Sequence, residues 1–112
     1  MVEVHIRRDS RERLSSFFAT GHAGWADLGE DIVCAAVSTL LQAALLGLTE
    51  VLGVKVDGSR KSGSMSLAWP AEARDDAGVR AIVETVARSI ASLAKQYPDH
   101  ISMVSERTQD DG

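Results

Sequence analysis

The stretch Asp31-Ile-Val-Cys-Ala-Ala-Val-Ser-Thr-Leu-Leu-Gln-Ala-Ala-Leu-Leu-Gly-Leu-Thr-Glu-Val-Leu-Gly53 is the most apolar part of the chain, and its reading decides the fold. From Ile32 to Leu48 only Ser38, Thr39, Gln42 and Gly47 interrupt the apolar residues. A membrane-spanning helix needs about 20 such residues. The run from Ile32 to Leu48 falls short, and acidic Glu30-Asp31 precede it without a basic flank. The segment therefore reads as a buried helix ended by Gly53. A helix apolar on nearly all sides must be covered on more than one face. A sheet supplies one cover, and a second copy of the protein is the expected other.

Outward from this helix, alternation replaces helical spacing. Val2, Val4 and Ile6 alternate with Glu3, His5 and Arg7, as in a strand with one wet face. The charged run from Arg7 to Arg13 connects it to a second strand, Leu14 to Thr20, which carries Phe17 and Phe18. Beyond Gly53, Val54-Lys55-Val56 and Met65 to Trp69 read as a second hairpin joined by the turn-rich segment 57–64, with Arg60-Lys61 at a solvated tip. Asp75-Asp76 then supply the acidic start of a helix whose apolar stripe is Val79, Ile82, Val83, Val86, Ile90, Leu93, Ala94 and Tyr97. Pro98 stops it, and Ile101 and Met103 mark a fifth strand. The fold class is α+β, a two-layer sandwich of two helices on a mostly antiparallel sheet in the order ββαββαβ. One domain, 1–107, precedes a polar tail, 108–112, expected to be disordered.

With 112 residues, 45% of them apolar and 25% charged, the chain has the composition of a soluble one-domain protein. A net charge of −4 disfavours direct nucleic-acid binding. One cysteine forms no internal disulfide, and Met1-Val2-Glu3-Val4-His5 does not resemble a signal peptide, so a cytoplasmic location is expected. No metal-ligand spacing surrounds His5 or His100, and neither a metal nor a cofactor is expected.

Cys34 gains meaning from its position. If Asp31 caps the helix, Cys34 lies in the first turn, where free backbone N–H groups favour a thiolate and can receive a developing oxyanion. A thiolate attacking a carbonyl also needs a group that titrates near neutrality. His22 is the available imidazole, twelve residues before Cys34. Gly21, Gly24 and Gly29 give the intervening loop freedom to turn and to open and close over a substrate. Ser38, one turn after Cys34, shares its side of the helix. Each residue also has an ordinary reading: a small buried hydrophobe for Cys34, a turn residue for His22, a cap for Asp31, a tolerated polar residue for Ser38 and a loop anchor for Trp25.

The segments Gly21-His22-Ala23 and Gly29-Glu30-Asp31-Ile32-Val33-Cys34-Ala35-Ala36-Val37-Ser38 resemble the signature of the ribosomal-processing cysteine proteases called Prp. Supporting likeness extends to the opening strand, Phe17, Gly47, Leu52-Gly53 and Gln96-Tyr97-Pro98. Trp25 departs from it, standing where a tyrosine is common. The resemblance implies a small homodimeric enzyme that removes the N-terminal extension of a large-subunit ribosomal protein, cutting after an aromatic pair. It implies a catalytic dyad at His22 and Cys34, with Asp31 and Ser38 as further active-site positions. Two other classes stay open from the residues alone: a ribosome-associated binding module with an incidental thiol, and a Cys/His acyl-transfer enzyme.

Overall fold

The computed structural model describes residues 1–21 and 28–108, and for 28–31 it describes the backbone only. Five strands, β1 (Val2–Arg8), β2 (Leu14–Thr20), β3 (Asp57–Lys61), β4 (Ser64–Ala68) and β5 (Ile101–Arg107), form one sheet in the order β3-β4-β2-β1-β5. Neighbours pair antiparallel except β1 with β5, which run parallel. Helices α1 (Leu28–Leu46) and α2 (Ala77–Gln96) complete the expected α+β order. They pack on one face of the sheet, which the strands build by alternation: Val4 pairs with Ala19 and Ala19 with Met65, while Ile6 pairs with Phe17 and Phe17 with Leu67. All six are buried.

Helix α1 contributes Val33, Val37, Leu41 and Ala44 to the core, a stripe at helical spacing. Its end widens into a π-helical turn, Gly47–Val51, in which Leu48 is buried and Leu52 N–H donates to the Gly47 carbonyl. Gly47 admits the neighbouring helix: a Cβ there would lie 2.8 Å from Ile82 Cδ1. With this turn the helical stretch Ile32–Val51 reaches 20 residues, long and apolar enough to cross a membrane by length and composition, contrary to the shorter run read from sequence. The same stretch supplies one wall of the protein core, which a lipid-facing helix would not. Ile32, Leu46 and Val51 of this stretch stay exposed, at 55%, 51% and 77%. Helix α2 starts as expected, Asp76 capping it by accepting from the Val79 amide at 3.0 Å.

The second hairpin is displaced from its expected position. Its first strand is Asp57–Lys61, not Val54–Val56, and the turn is Ser62-Gly63, with Gly63 at φ 83°. The strand is exposed throughout, so it carries no apolar alternation for a reader to detect, and its charged residues suit a sheet edge. Arg60 and Lys61 thus belong to an edge strand and not to a hairpin tip.

The connection between β1 and β2 folds around a buried carboxylate that the sequence did not announce. Asp9, 0% exposed, accepts from the amides of Arg11 and Arg13, from Arg13 Nε and from Arg74 Nη1. Arg74 also donates twice to the Trp69 carbonyl, and Trp69 Nε1 donates to the Leu14 carbonyl. Burial by itself would push the Asp9 carboxyl up. The hydrogen bonds from the Arg13 amide, Arg74 and the Arg11 amide prevail and bring its pKa from 3.8 to about 2.

Candidate active site

Strand β2 ends at Thr20, and Gly21 turns the chain out of the sheet with φ 101°. Its N–H donates to the Gly63 carbonyl at 3.1 Å, and a Cβ at this position would lie 2.4 Å from the Met1 carbonyl oxygen. Both the backbone angle and the close approach require glycine. The next residue is His22, so the end of the sheet holds the chain where the histidine begins. His22, Gly24 and Trp25 lie outside the described residues.

The chain resumes at Leu28 already helical. This corrects the expected cap: Asp31 lies inside α1, and Gly29 belongs to its first turn and not to a loop. Cys34, six residues after Leu28, therefore occupies the second turn, where helical geometry pairs its N–H with the carbonyl four residues back. The orphan amides of a helix start precede it. Charge stabilisation from the helix end weakens beyond the first turn, so the helix start favours a thiolate at Cys34 less than a first-turn position would.

Cys34 is half-buried and packs against the core beside Val33 and Val37. Cys34, Ser38, Gln42 and Leu45 follow one another at four-, four- and three-residue steps, so they share one side of α1. This side borders the second hairpin. There a groove of about 490 Å³ lies between α1 and β3–β4, with Leu45, Leu46, Val56, Met65 and Leu67 among its lining. Among the described residues no group of three or more His, Cys, Asp or Glu side chains could hold a metal ion. Of the expected site residues, the structure thus brings Cys34 and Ser38 onto one helical face and places Gly21 at the strand end that leads to His22.

His5, on the sheet face opposite the helices, belongs to a separate polar network. Its Nε2 meets Glu3 Oε1 at 2.7 Å and its Nδ1 meets Glu106 Oε1 at 2.8 Å, while Arg7 Nε donates to the same Glu106 oxygen. Hydrogen bonds to Glu3 and then to Glu106 raise the His5 pKa above 6.5.

A sequence model of the family described as "Cysteine protease Prp" matches residues 1–102. The chain belongs to the Prp family. The ribosomal processing cysteine protease Prp of Mycoplasma pneumoniae is 36% identical over 90 residues, covering 80% of this chain and 85% of its own. The Prp of Bacillus subtilis is 28% identical over 111 residues, covering 94% and 97%. Among solved structures, SMU.848 from Streptococcus mutans superposes with a TM-score of 0.86 at 28% identity, covering 96% of both chains. A Staphylococcus aureus Prp in complex with a substrate peptide superposes at 0.84 over 94% of this chain and 99% of its own, and at 20% identity that likeness speaks for the fold. Prp proteins are cysteine proteases by description, so the sandwich described above is a cysteine-protease scaffold.

Proposed function

We propose that the protein is an endopeptidase that removes the N-terminal extension of a large-subunit ribosomal protein, with Cys34 as nucleophile and His22 as general base and acid. The observation that carries this reading is the cysteine count. A chain in a family of cysteine proteases has one thiol, and that thiol lies on a helix bordering an open groove. His22 takes the Sγ proton as the sulfur attacks the scissile carbonyl carbon. The tetrahedral intermediate collapses as His22 returns that proton to the leaving amine, and the N-terminal part of the substrate stays on Cys34 as a thioester. Water, deprotonated by His22, attacks the thioester carbonyl and releases a carboxylic acid and the thiol. Ser38 and Asp31 flank the nucleophile as supporting positions, Ser38 one turn away on its side of the helix.

The experiment is incubation of the purified protein with a peptide carrying an aromatic pair before the scissile bond, followed by mass spectrometry of the products. Two fragments, one of them ending in a new carboxylate after the aromatic pair, are expected. Transfer of the acyl group to an added amine in preference to water would turn the reading towards acyl transfer, and an intact peptide would remove it.

The same reading includes a cytoplasmic homodimer. Ile32 and Leu46 of α1 and Val51 of the turn that follows are exposed large apolar residues, which a second copy would cover. Sedimentation at micromolar concentration should give twice the 12.0 kDa chain mass; a species of the single-chain mass would contradict it.

A further inference from the structure

At the other end of β2 from the Gly21 turn, a cavity of about 420 Å³ opens between the β1–β2 connection and the start of α2. Four arginines line it: Arg11 and Arg13 from the connection, Arg74 just before α2, and Arg80 on the helix itself. Buried Leu14 and Val83 line it from the core side. The carboxylates in its wall are already matched. Asp75 meets Arg13 at 2.9 Å, Glu84 meets Arg8 at 3.3 Å, and Glu12 pairs with Arg107. Arg74 is committed to Asp9 and to the Trp69 carbonyl. Among the described residues no hydrogen bond or ion pair engages the guanidinium groups of Arg11 and Arg80, so both line the cavity with their charge unspent.

Both side chains grow from fixed roots. The Arg11 amide donates to Asp9 Oδ1 at 2.9 Å, and the Arg80 amide donates to the Asp76 carbonyl at 2.9 Å in the first turn of α2. Between Arg11 and Arg13, Glu12 holds φ 65°, a left-handed conformation that strains a residue with a side chain. Two backbone bonds keep the strained turn in place, Glu12 N–H to the Asp9 carbonyl at 3.0 Å and Asp9 N–H to the Arg13 carbonyl at 2.9 Å. Strain of this kind gathers where a ligand is clamped. We infer that the cavity is a phosphate-binding site in which Arg11 and Arg80 grip the ligand from two separate elements. A carboxylate has two oxygens in one plane and is satisfied by a single guanidinium fork. A tetrahedral phosphate directs its oxygens several ways and can bridge two forks. The ligand is therefore a phosphate group, carried by a small phosphorylated molecule or by a nucleic-acid backbone. With a net charge of −4, the chain as a whole repels such anions, which makes this cavity and not the general surface the point of attachment. β2 is seven residues long and sets the cavity about 20 Å from the Gly21 turn, so the site stands whether or not the chain is a peptidase.

The test is an NMR titration of the full chain at constant ionic strength with inorganic pyrophosphate, and in parallel with a short single-stranded oligonucleotide and a glutamate-rich peptide. Pyrophosphate should shift the Nε–H signals of Arg11 and Arg80 saturably. Arg11→Gln and Arg80→Gln should each weaken binding about tenfold or more. Both residues are exposed, so the variants should fold, which their melting temperatures check. Arg11→Lys keeps the charge and loses the fork, and it should not restore the affinity. Arg88→Gln, the same change of charge elsewhere on α2, should leave binding as it is. Tighter binding of the oligonucleotide than of pyrophosphate would identify a nucleic-acid backbone as the source, and the reverse order a small phosphorylated molecule; either result supports the site. The proposal would be overturned by the absence of a saturable shift with either ligand, or by Gln variants of Arg11 and Arg80 that bind as the wild-type protein does. It would equally be overturned by an Arg88→Gln variant that weakens binding as much as they do, or by a glutamate-rich peptide that binds as tightly as pyrophosphate.

Discussion

The two ends of β2 contrast in how their polar groups are held. At Leu14 the strand starts beside a closed corner, where Asp9 is buried and accepts hydrogen bonds from two amides and two guanidinium groups, and where Arg74 and Trp69 tie the corner to adjacent carbonyls. At Thr20 it ends in a glycine turn that leads to His22, and the half-buried thiol lies on the same side of α1 as Gln42 and Leu45, which line an open groove further along the helix. One end spends its charges on fixing the chain. The other leaves a thiol only half-buried. The difference separates the residues that should affect stability from those that should affect chemistry.

The largest effect is expected at the open end. Cys34→Ala should lower cleavage by at least about a thousandfold with little change in melting temperature, because the volume removed is small. His22→Ala should act on the same step, and the double variant should be no worse than the worse single one, since a nucleophile and its base work as a unit. Activity within tenfold of wild type in either single variant would break the contrast from this side.

At the closed end the expected effect is on folding. Asp9→Asn removes the buried anion that Arg13 Nε and Arg74 Nη1 meet, while Arg13 keeps Asp75, and should cost about 3 kcal/mol, read by denaturant unfolding. The pH dependence has a defined sign. The folded-state pKa of Asp9 is depressed from 3.8 to about 2, so its stabilisation is complete above about pH 4 and is lost as the pH falls towards 2. The Asp9→Asn variant should lack that acid-dependent loss, and a wild-type stability that is flat across this window would contradict the assignment.

Much of the fold was legible because burial imposes a period. β1, β2, α2 and β5 each show one face to the core, and alternation or helical spacing recorded it. The edge strand β3 was misplaced because none of Asp57 to Lys61 is buried, so no period marks it, whereas Val54 and Val56, which only approach the core, looked more like a strand. The start of α1 lies four residues earlier than its sequence suggests, because Asp31 is a good capping residue by type while the chain is already helical at Leu28. The role of Asp9 was hidden for another reason: in a run of alternating charges, nothing local distinguishes the one carboxylate that becomes buried. Cys34 and Ser38 were legible as a pair because their four-residue spacing follows from the helix alone. The groove beyond them depends on where the hairpin packs, which no local pattern encodes.

A smaller effect is expected at Gly21, which joins the sheet to the open end. Gly21→Ala places a Cβ against the Met1 carbonyl and asks a non-glycine residue to hold φ 101°. It should cost about 1–3 kcal/mol and should also lower kcat, because the turn sets the starting point of the His22 segment. A loss of stability with kcat unchanged would confine Gly21 to the fold.

The smallest effect belongs to His5 on the opposite sheet face. Its raised pKa means that the charged form is favoured by Glu3 and Glu106 in the folded protein, so this contribution is present below pH 6.5 and fades as the pH rises through the folded value. An NMR titration should place His5 above 6.5, and His5→Gln should leave cleavage unchanged. A midpoint at or below 6.5 would contradict the network.

The central claim is that the thiol of Cys34 carries the acyl group during peptide cleavage. Rapid acid quenching of the wild-type protein with its peptide, followed by intact-mass measurement and fragmentation, tests it most directly. The predicted result is a protein heavier by the N-terminal product less one water, with the added mass on Cys34 and absent from Cys34→Ala. Cleavage that proceeds at the wild-type rate in Cys34→Ala, or an adduct located on any other residue, would contradict it.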